Sequence, residues 1–598
     1  MPATNADRRI AVLALFFLSG CAGLIYEVVW TRELIFVFGG TTYAITTILV
    51  GFMSGLGLGS YVAGRLSSRL RRPGRVYGLL EIAVGVYALL VPTLLHVAEP
   101  VYRAMYPRLM GAPGLLTGAR FCIGFLVLLL PTTCMGATLP ILVRHVTAIG
   151  EGFGRSVGLL YGVNTLGATF GTMAAGFRLI PTFGLTHTTW AAAALNLLVG
   201  TTAIILLGAP AAPAWPSTPA TAPRRPPGRP TKAVPAAAPT ISPAVRRVAL
   251  VAFAVSGFAA MVYQIAWTRA LIMSLGSSTY AFTCILTAFI LGLAVGSLVV
   301  ARWVDRWKDP VLIFGGLEIA IGLAAVLMVP VYGRAPQIVY DLVRAYRSNY
   351  TALLAAEFLL VIAATLVPTL LMGAVFPLVA RMIAVGMNDA GAATGKAYAV
   401  NTLGTIAGSF LAGFVMIRSE VLGVQGSIIA VATLNAVVGT ALVLLSRPPT
   451  AGAWARRAIA ATASVFVVPA VAIGAGQWDV KMLVTAPFYA QMDPSTFAKQ
   501  QQVVYYGEGV DLTVAVTQVI GMDDAFALSV NGKADASTDF RDMVTQVLLG
   551  HIPALLAEHG RDACVIGLGS GMTLGAIACY PSYERLDCVE ISDDVIRA

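Results

Sequence analysis

Charged side chains are scarce: Asp, Glu, Lys and Arg make up 12% of the 598 residues, about half the share of a soluble globular protein. That excludes an ordinary water-soluble fold, and a 57% apolar content makes the lipid bilayer the main solvent. The five histidines do not cluster, and Cys21, Cys122, Cys134, Cys284, Cys564, Cys579 and Cys588 show no CxxC spacing. Neither a metal site nor a disulfide framework is expected. Acidic residues are absent from 209–245, a Pro- and Ala-rich stretch holding Arg224, Arg225, Arg229 and Lys232. It reads as a flexible cytoplasmic linker rather than a helix.

Long apolar runs are plentiful. Stretches of spanning length lie near 10–38, 43–64, 76–97, 117–143, 156–177 and 188–208, then near 247–275, 280–301, 311–332, 351–380, 396–417 and 427–446. The first is too long, and too close behind Arg8 and Arg9, for a cleavable signal alone. Residues 1–475 hold 33 Lys and Arg against 13 Asp and Glu, whereas 476–598 hold 7 against 16. The basic residues concentrate at 65–75, 144–155, 302–309 and 381–396, all on one side if the N-terminus is there. The excess therefore argues topology, with that side cytoplasmic, and no nucleic-acid partner.

Part of the chain is written twice. SGCAGLIYEVVWTR (19–32) returns as SGFAAMVYQIAWTR (256–269), PTTCMGATLP (131–140) as PTLLMGAVFP (368–377) and YGVNTLG (161–167) as YAVNTLG (398–404), always 237 positions on. This implies two six-helix repeats related by an axis along the membrane normal. The arrangement resembles the major facilitator architecture, and Gly59–Arg65 and Gly296–Arg302 partly match its loop signature. An acid comes next only in the second half, at Asp305, with Ser68 at the equivalent first-half place.

Ionisable residues inside a span are functional candidates: Glu27, Arg32, Glu81, Arg120, Arg269, Glu318 and Glu357. Two readings stand side by side. Arg32 and Arg269 either carry function or snorkel to an interface beside Trp30 and Trp267, and Glu81 and Glu318, near helix starts, either do so or pair with loop arginines. Arg120 and Glu357, equivalent positions of opposite charge, suggest an ion pair across the bundle. Asn164 and Asn401 are interhelical hydrogen-bond glue or solute ligands.

After Trp478 the periodicity changes to VDLTVAVTQVI (510–520) and AFALSVNGKADAS (525–537), hairpin strands with turn residues. DACVIGLGSGMTLGAIACYPSYERLDCVEIS (562–592) then gives a strand, a turn on Gly567, Gly569 and Gly571, a helix and a second strand ending at Glu590. This is a Rossmann-like βαβ opening, in which Glu590 is placed to accept ribose hydroxyls. A strand–turn–helix without a ligand has the same pattern.

The run LSVNGKADASTDFRDMVTQVLLGHIPALLAEHGRDACVIGLGSGMT resembles the polyamine aminopropyltransferase (spermidine synthase) family, and the order of parts resembles membrane-fused spermidine synthase-like proteins. The resemblance implies transfer of an aminopropyl group from decarboxylated S-adenosylmethionine, a co-substrate rather than a resident cofactor, to an amine, with acids binding the cations. It implies a nucleoside site at Gly567, Gly569, Ser570, Gly571 and Glu590, with Asp535 and Gln546 on the amine side. Asp535 stands where the family has glutamine, Thr545, Gln546 and Val547 where it has a Tyr-His-Glu run, and Ser570 in place of the loop acid. The family's sheet has about seven strands and its catalytic aspartates lie beyond the second, so 541–598 is expected to be a domain cut short, with no catalytic residue assigned.

The expected fold class is thus a mostly α, polytopic bundle of twelve or thirteen spans, followed by a small β domain and the start of a Rossmann-like α/β domain. Its parts are 1–208 and 246–446 for the repeats, 209–245 for the linker, 447–476 for a connector, 477–540 for the β domain and 541–598 for the nucleotide-binding start. The segment 457–475 reads as a thirteenth span or a re-entrant piece. The cytosolic origin of the implied co-substrate favours the latter, with the C-terminal domain in the cytoplasm. The expected location is a bacterial inner membrane, with lipid and a small amine or nucleoside as partners. Transport of a small polar or cationic solute, and non-catalytic nucleoside binding, are the alternatives.

Overall fold

A computed structural model describes residues 5–38, 42–109, 112–147, 152–208, 241–384, 389–446, 450–489, 492–510, 512–557 and 559–598. The linker expected at 209–245 lies mostly outside them. The chain is a multi-pass helical membrane protein with a small antiparallel sheet near its C-terminus: eleven helical stretches among the described residues are long and apolar enough to cross a bilayer.

The first group is α1 (Asn5–Phe38), α2 (Thr42–Ser67), α3 (Pro73–Leu109), α4 (Pro113–Thr147), α5 (Phe153–Ala174) and α6 (Ile180–Leu207). The second is α7 (Pro243–Leu275), α8 (Thr279–Val300), α9 (Pro310–Leu327), the short α10 (Val329–Ala345), α11 (Tyr350–Ile383), α12 (Ala390–Leu411) and α13 (Gly423–Leu445). Contacts recur at the 237-residue spacing. Asn164 Nδ2 donates to the Phe16 carbonyl at 2.9 Å and Asn401 Nδ2 to that of Phe253 at 3.0 Å. Both asparagines thus tie one helix to another. The approach needs glycine opposite: a Cβ at Gly20 would stand 2.8 Å from Asn164 Nδ2, and one at Gly257 2.6 Å from Asn401 Nδ2. Small residues at such crossings are how membrane helices come close enough to hydrogen-bond.

α14 (Ala451–Gly474) is a further helix long and apolar enough to cross. Arg457 at its start lies 3.9 Å from Asp309, beside the basic turn 302–309. Just beyond its other end, the Gly476 carbonyl accepts from Gln425 Nε2 at 2.8 Å, at the opposite end of α13. The basic turns meet at the first end: the Asp305 carboxylate accepts from the backbone N–H of Gly154 and Arg155, both at 2.9 Å, and lies 3.9 Å from Arg381. The segment 457–475 thus belongs to one continuous helix, with Pro469 inside it, that joins the two ends of the bundle.

The C-terminal region sits at the far end. After α15 (Val480–Leu483) and α16 (Pro494–Gln500) come β1 (Gln501–Glu508), β2 (Thr513–Val519), β3 (Phe526–Val530) and β4 (Lys533–Ser537), an antiparallel meander in the order β1-β2-β3-β4. Asn531 (φ 49°) and Gly532 (φ 83°) make the β3–β4 turn, the left-handed pair that a tight hairpin requires. Residues 525–537 are thus two strands, and β1 had no counterpart in the sequence pattern. α17 (Phe540–Leu556) leads to β5 (Asp562–Ile566), α18 (Met572–Ala578), β6 (Arg585–Val589) and α19 (Asp593–Arg597), with β5 and β6 parallel. Leu568 packs against Val514, Leu528, Ala536 and Val595, joining the glycine turn to the meander.

Candidate functional site

Two places gather the residues that the sequence singled out. At the first, Gly567 (φ 90°), Gly569 (φ 52°) and Gly571 (φ 76°) occupy left-handed conformations between β5 and α18, which a side chain at these positions would strain. Glu590, just past β6, faces the turn. Its Oε2 accepts from Leu568 N–H at 2.8 Å, and its Oε1 from Ile591 and Ser592 N–H at 2.7 and 2.9 Å. Partial burial pushes this carboxyl up, but the backbone donors of Ser592, Leu568, Ile591 and Gly569 together outweigh it and hold it below the usual glutamate range. An ionised carboxylate opposite open glycine backbone can accept a pair of hydroxyls.

Ser570 donates to Gln546 Oε1, and Thr573 Oγ1 donates to the Gln546 carbonyl at 2.9 Å. Gln546 Nε2 is buried with no hydrogen-bond partner. The structure therefore joins Gln546 to the glycine turn. Asp535 instead pairs with Lys533 at 3.0 Å on the exposed strand β4.

The second place is a cavity of about 280 Å³ inside the bundle. Its lining is paired at the 237-residue spacing: Ser19 with Ser256, Tyr161 with Tyr398, and Asn164 with Asn401. The pairing breaks at one charged position, where Glu27 stands opposite Gln264. A small, mostly apolar chamber with a few polar groups and a single carboxylate among its described lining residues suits a small cation or a hydrogen-bonding solute.

The other intramembrane candidates sit elsewhere. Trp30 and Trp267 are 0% and 1% exposed and stack on Tyr26 and Tyr263 at 5.0 and 5.1 Å between ring centroids. They are core, not an interfacial belt beside snorkelling arginines. Arg32 donates to Thr279 at the start of α8. Arg269 leaves the bundle and donates to the carbonyls of Gly509, at 3.2 Å, and Val510. Glu81 and Glu318 do not pair with loop arginines. Each accepts from an asparagine at 2.5 Å, Asn196 and Asn435 respectively, because both sit well inside a helix whose apolar neighbours exclude solvent. Glu357 is buried with Oε1 unpartnered. The side chain of Arg120 lies outside the described residues, and with it the expected ion pair.

The residue that sequence reasoning missed is Glu508. Its backbone pairs with Ser419, and its carboxylate accepts from Val424 N–H at 2.8 Å. It thereby caps α13, whose own N-cap position, Leu422, has no side chain able to do so. Gly423 makes room, since its φ is +68° and a Cβ there would lie 2.7 Å from Glu508 Oε2. Tyr506 adds a hydroxyl donor at 2.8 Å. With Arg269, and with Arg597 at 2.5 Å from Glu420, these contacts fix the C-terminal region to the bundle end away from the basic turns. The expectation that it shares a side with those turns is corrected. Nothing local in YYGEG signals a partner 84 residues upstream.

No family model matches the sequence. The chain is similar to polyamine aminopropyltransferase 2 of Streptomyces coelicolor, 25% identical over 366 residues. The match covers 60% of this chain, which spans about 60% of the length of that relative. Among solved structures, similarity is found to a bacterial homologue of the iron transporter ferroportin in its outward-facing state (12% identity, TM-score 0.44, 72% of this chain and 98% of that one). Another is the nucleoside transporter NupG (12% identity, TM-score 0.43, 73% of this chain and 98% of that one).

Proposed function

We propose that this is a bacterial inner-membrane protein of the polyamine aminopropyltransferase type, whose C-terminal domain binds an adenosine-type nucleoside such as decarboxylated S-adenosylmethionine. The observation that carries the reading is the ionised Glu590 carboxylate facing the open backbone of Gly567, Gly569 and Gly571. The 25% identity to a curated aminopropyltransferase supports it. In this reading the domain 541–598 opens a Rossmann-like fold, the bundle is two parallel six-helix repeats, and Gln546 Nε2 is free to meet a ligand. Since arginine-rich turns mark the cytoplasmic face, the nucleoside site faces away from the cytoplasm.

The test uses the full chain in detergent titrated with methylthioadenosine. Glu590→Gln keeps the shape and removes the charge, and charge-assisted hydrogen bonds contribute about 1.5–3 kcal/mol each. Affinity should fall roughly ten- to a hundredfold. Equal affinities for wild type and variant would show the glycine turn to be structural only.

A second reading, passage of a small polar or cationic solute, is favoured by the paired cavity and its lone carboxylate. In vesicles, Glu27→Gln should abolish saturable uptake of a small diamine such as putrescine, and undiminished uptake in the variant would remove Glu27 from the path.

A further inference from the structure

Glu81 and Glu318 are 2% and 0% exposed, and neither the nucleoside site nor the solute path uses them. They sit at matching positions 237 residues apart, each joined to an asparagine of the neighbouring helix at 2.5 Å. Ser19 Oγ donates to Glu81 Oε1 at 2.6 Å, and Ser19 also lines the central cavity, as does its counterpart Ser256. Glu81 is therefore one serine away from the chamber, and Ser256 stands at the matching place for Glu318.

The groups around the acids carry no positive charge among the described residues. Tyr77, on the same helix, and Tyr26 of α1 face Glu81. Tyr263, with Tyr332 behind it, faces Glu318. Burying an unpaired carboxylate in such surroundings is costly unless hydrogen bonds satisfy it.

The protein partners around the two acids differ. Around Glu81, Asn196 Oδ1 and the Tyr26 hydroxyl are both buried and unpartnered. Around Glu318, Tyr263 donates to Asn435 Oδ1 at 3.0 Å, and Glu318 Oε1 is the atom left over.

We propose that Glu81 and Glu318 are twin proton-binding sites that exchange protons with the central cavity through Ser19 and Ser256. On loading, the serine hydroxyl passes its proton to the carboxylate and takes one from hydronium in the chamber. The carboxylate becomes a neutral acid, the serine is regenerated and water is left behind. Release runs the same bonds backwards. The inference rests on the cavity geometry alone and holds whether or not the glycine turn binds a nucleoside.

Infrared difference spectra of the full chain in lipid vesicles, between mildly acidic and alkaline buffer, test it. Wild type should show a protonated-carboxyl C=O band that disappears on alkalinisation. Glu81→Gln and Glu318→Gln should each lower that signal by a similar amount, and the double variant by the sum of the two. Ser19→Ala should keep the band but slow its response to a pH jump severalfold. A band that ignores pH would make the acids fixed structural groups. An unchanged band in the double variant would assign it to other carboxyls and overturn the proposal.

Discussion

Alkaline phosphatase fused after residue 500 should be active, and a green fluorescent reporter at the same point dark. The same fusions at residue 309 should give the reverse pattern. α14 runs from Arg457, beside Asp309 at the basic end, to Gly476, beside Gln425 at the other. Reporter activity of this kind is close to all-or-none, so the expected difference exceeds that of any point substitution proposed here. The positive-inside rule supplies the sign: Arg144, Arg155, Arg302, Arg306 and Arg381 lie at or beside the turns of the cytoplasmic face. A fluorescent fusion at residue 500 would mean that α14 does not cross, and would place the C-terminal region in the cytosol.

Arg269→Ala should free the C-terminal region from the bundle. The guanidinium donates to two consecutive carbonyls, Gly509 and Val510, and losing this charged donor costs about 1.5–3 kcal/mol in all. The undocked population should rise roughly ten- to a hundredfold, read as faster proteolytic cleavage between residues 476 and 500 in detergent. Glu508 gives the same interface a pH dependence. Burial pushes its carboxyl up, against the opposing pull of Val424 N–H, the Tyr506 hydroxyl and Arg269. A carboxyl raised in the docked state binds more protons docked than undocked, so docking is firmest in acid and weakens as pH rises through the docked value. Glu508→Gln should flatten that profile. Cleavage rates that do not change with pH in wild type, or that rise equally steeply in the variant, would assign the dependence to another group.

The bundle was legible because a bilayer forces twenty-residue apolar runs, and the repeat because its motifs are copied without a gap. Asn164 and Asn401 could be paired in advance, since the glycines they pack against, Gly20 and Gly257, repeat at the same interval. α14 was ambiguous, because a proline-containing segment of that length is equally compatible with dipping and crossing. Its ion pair with Asp309 is a tertiary fact. Trp30 and Trp267 were misread for a physical reason: Trp next to Thr-Arg has the composition of a membrane interface, and only the stack on Tyr26 and Tyr263 shows the ring turned inward. Gly567, Gly569, Gly571 and Glu590 were found from spacing, whereas Gln546 was tied to Ser570 by a fold contact. The chamber could not be seen, since two tightly packed repeats and two that leave a void share one periodicity.

The cap on α13 has a consequence for how the protein is made. Synthesis completes α13 before residue 508 exists, and Glu508 reaches Val424 only after α14 and the strand that carries it have been made. Until then the first turn of α13 depends on whatever donors and acceptors the insertion machinery or lipid headgroups lend it. Ribosomes arrested before residue 508 should therefore leave a nascent chain in which α13 frays at its first turn, and strand β1 completes the helix like a fastening applied last.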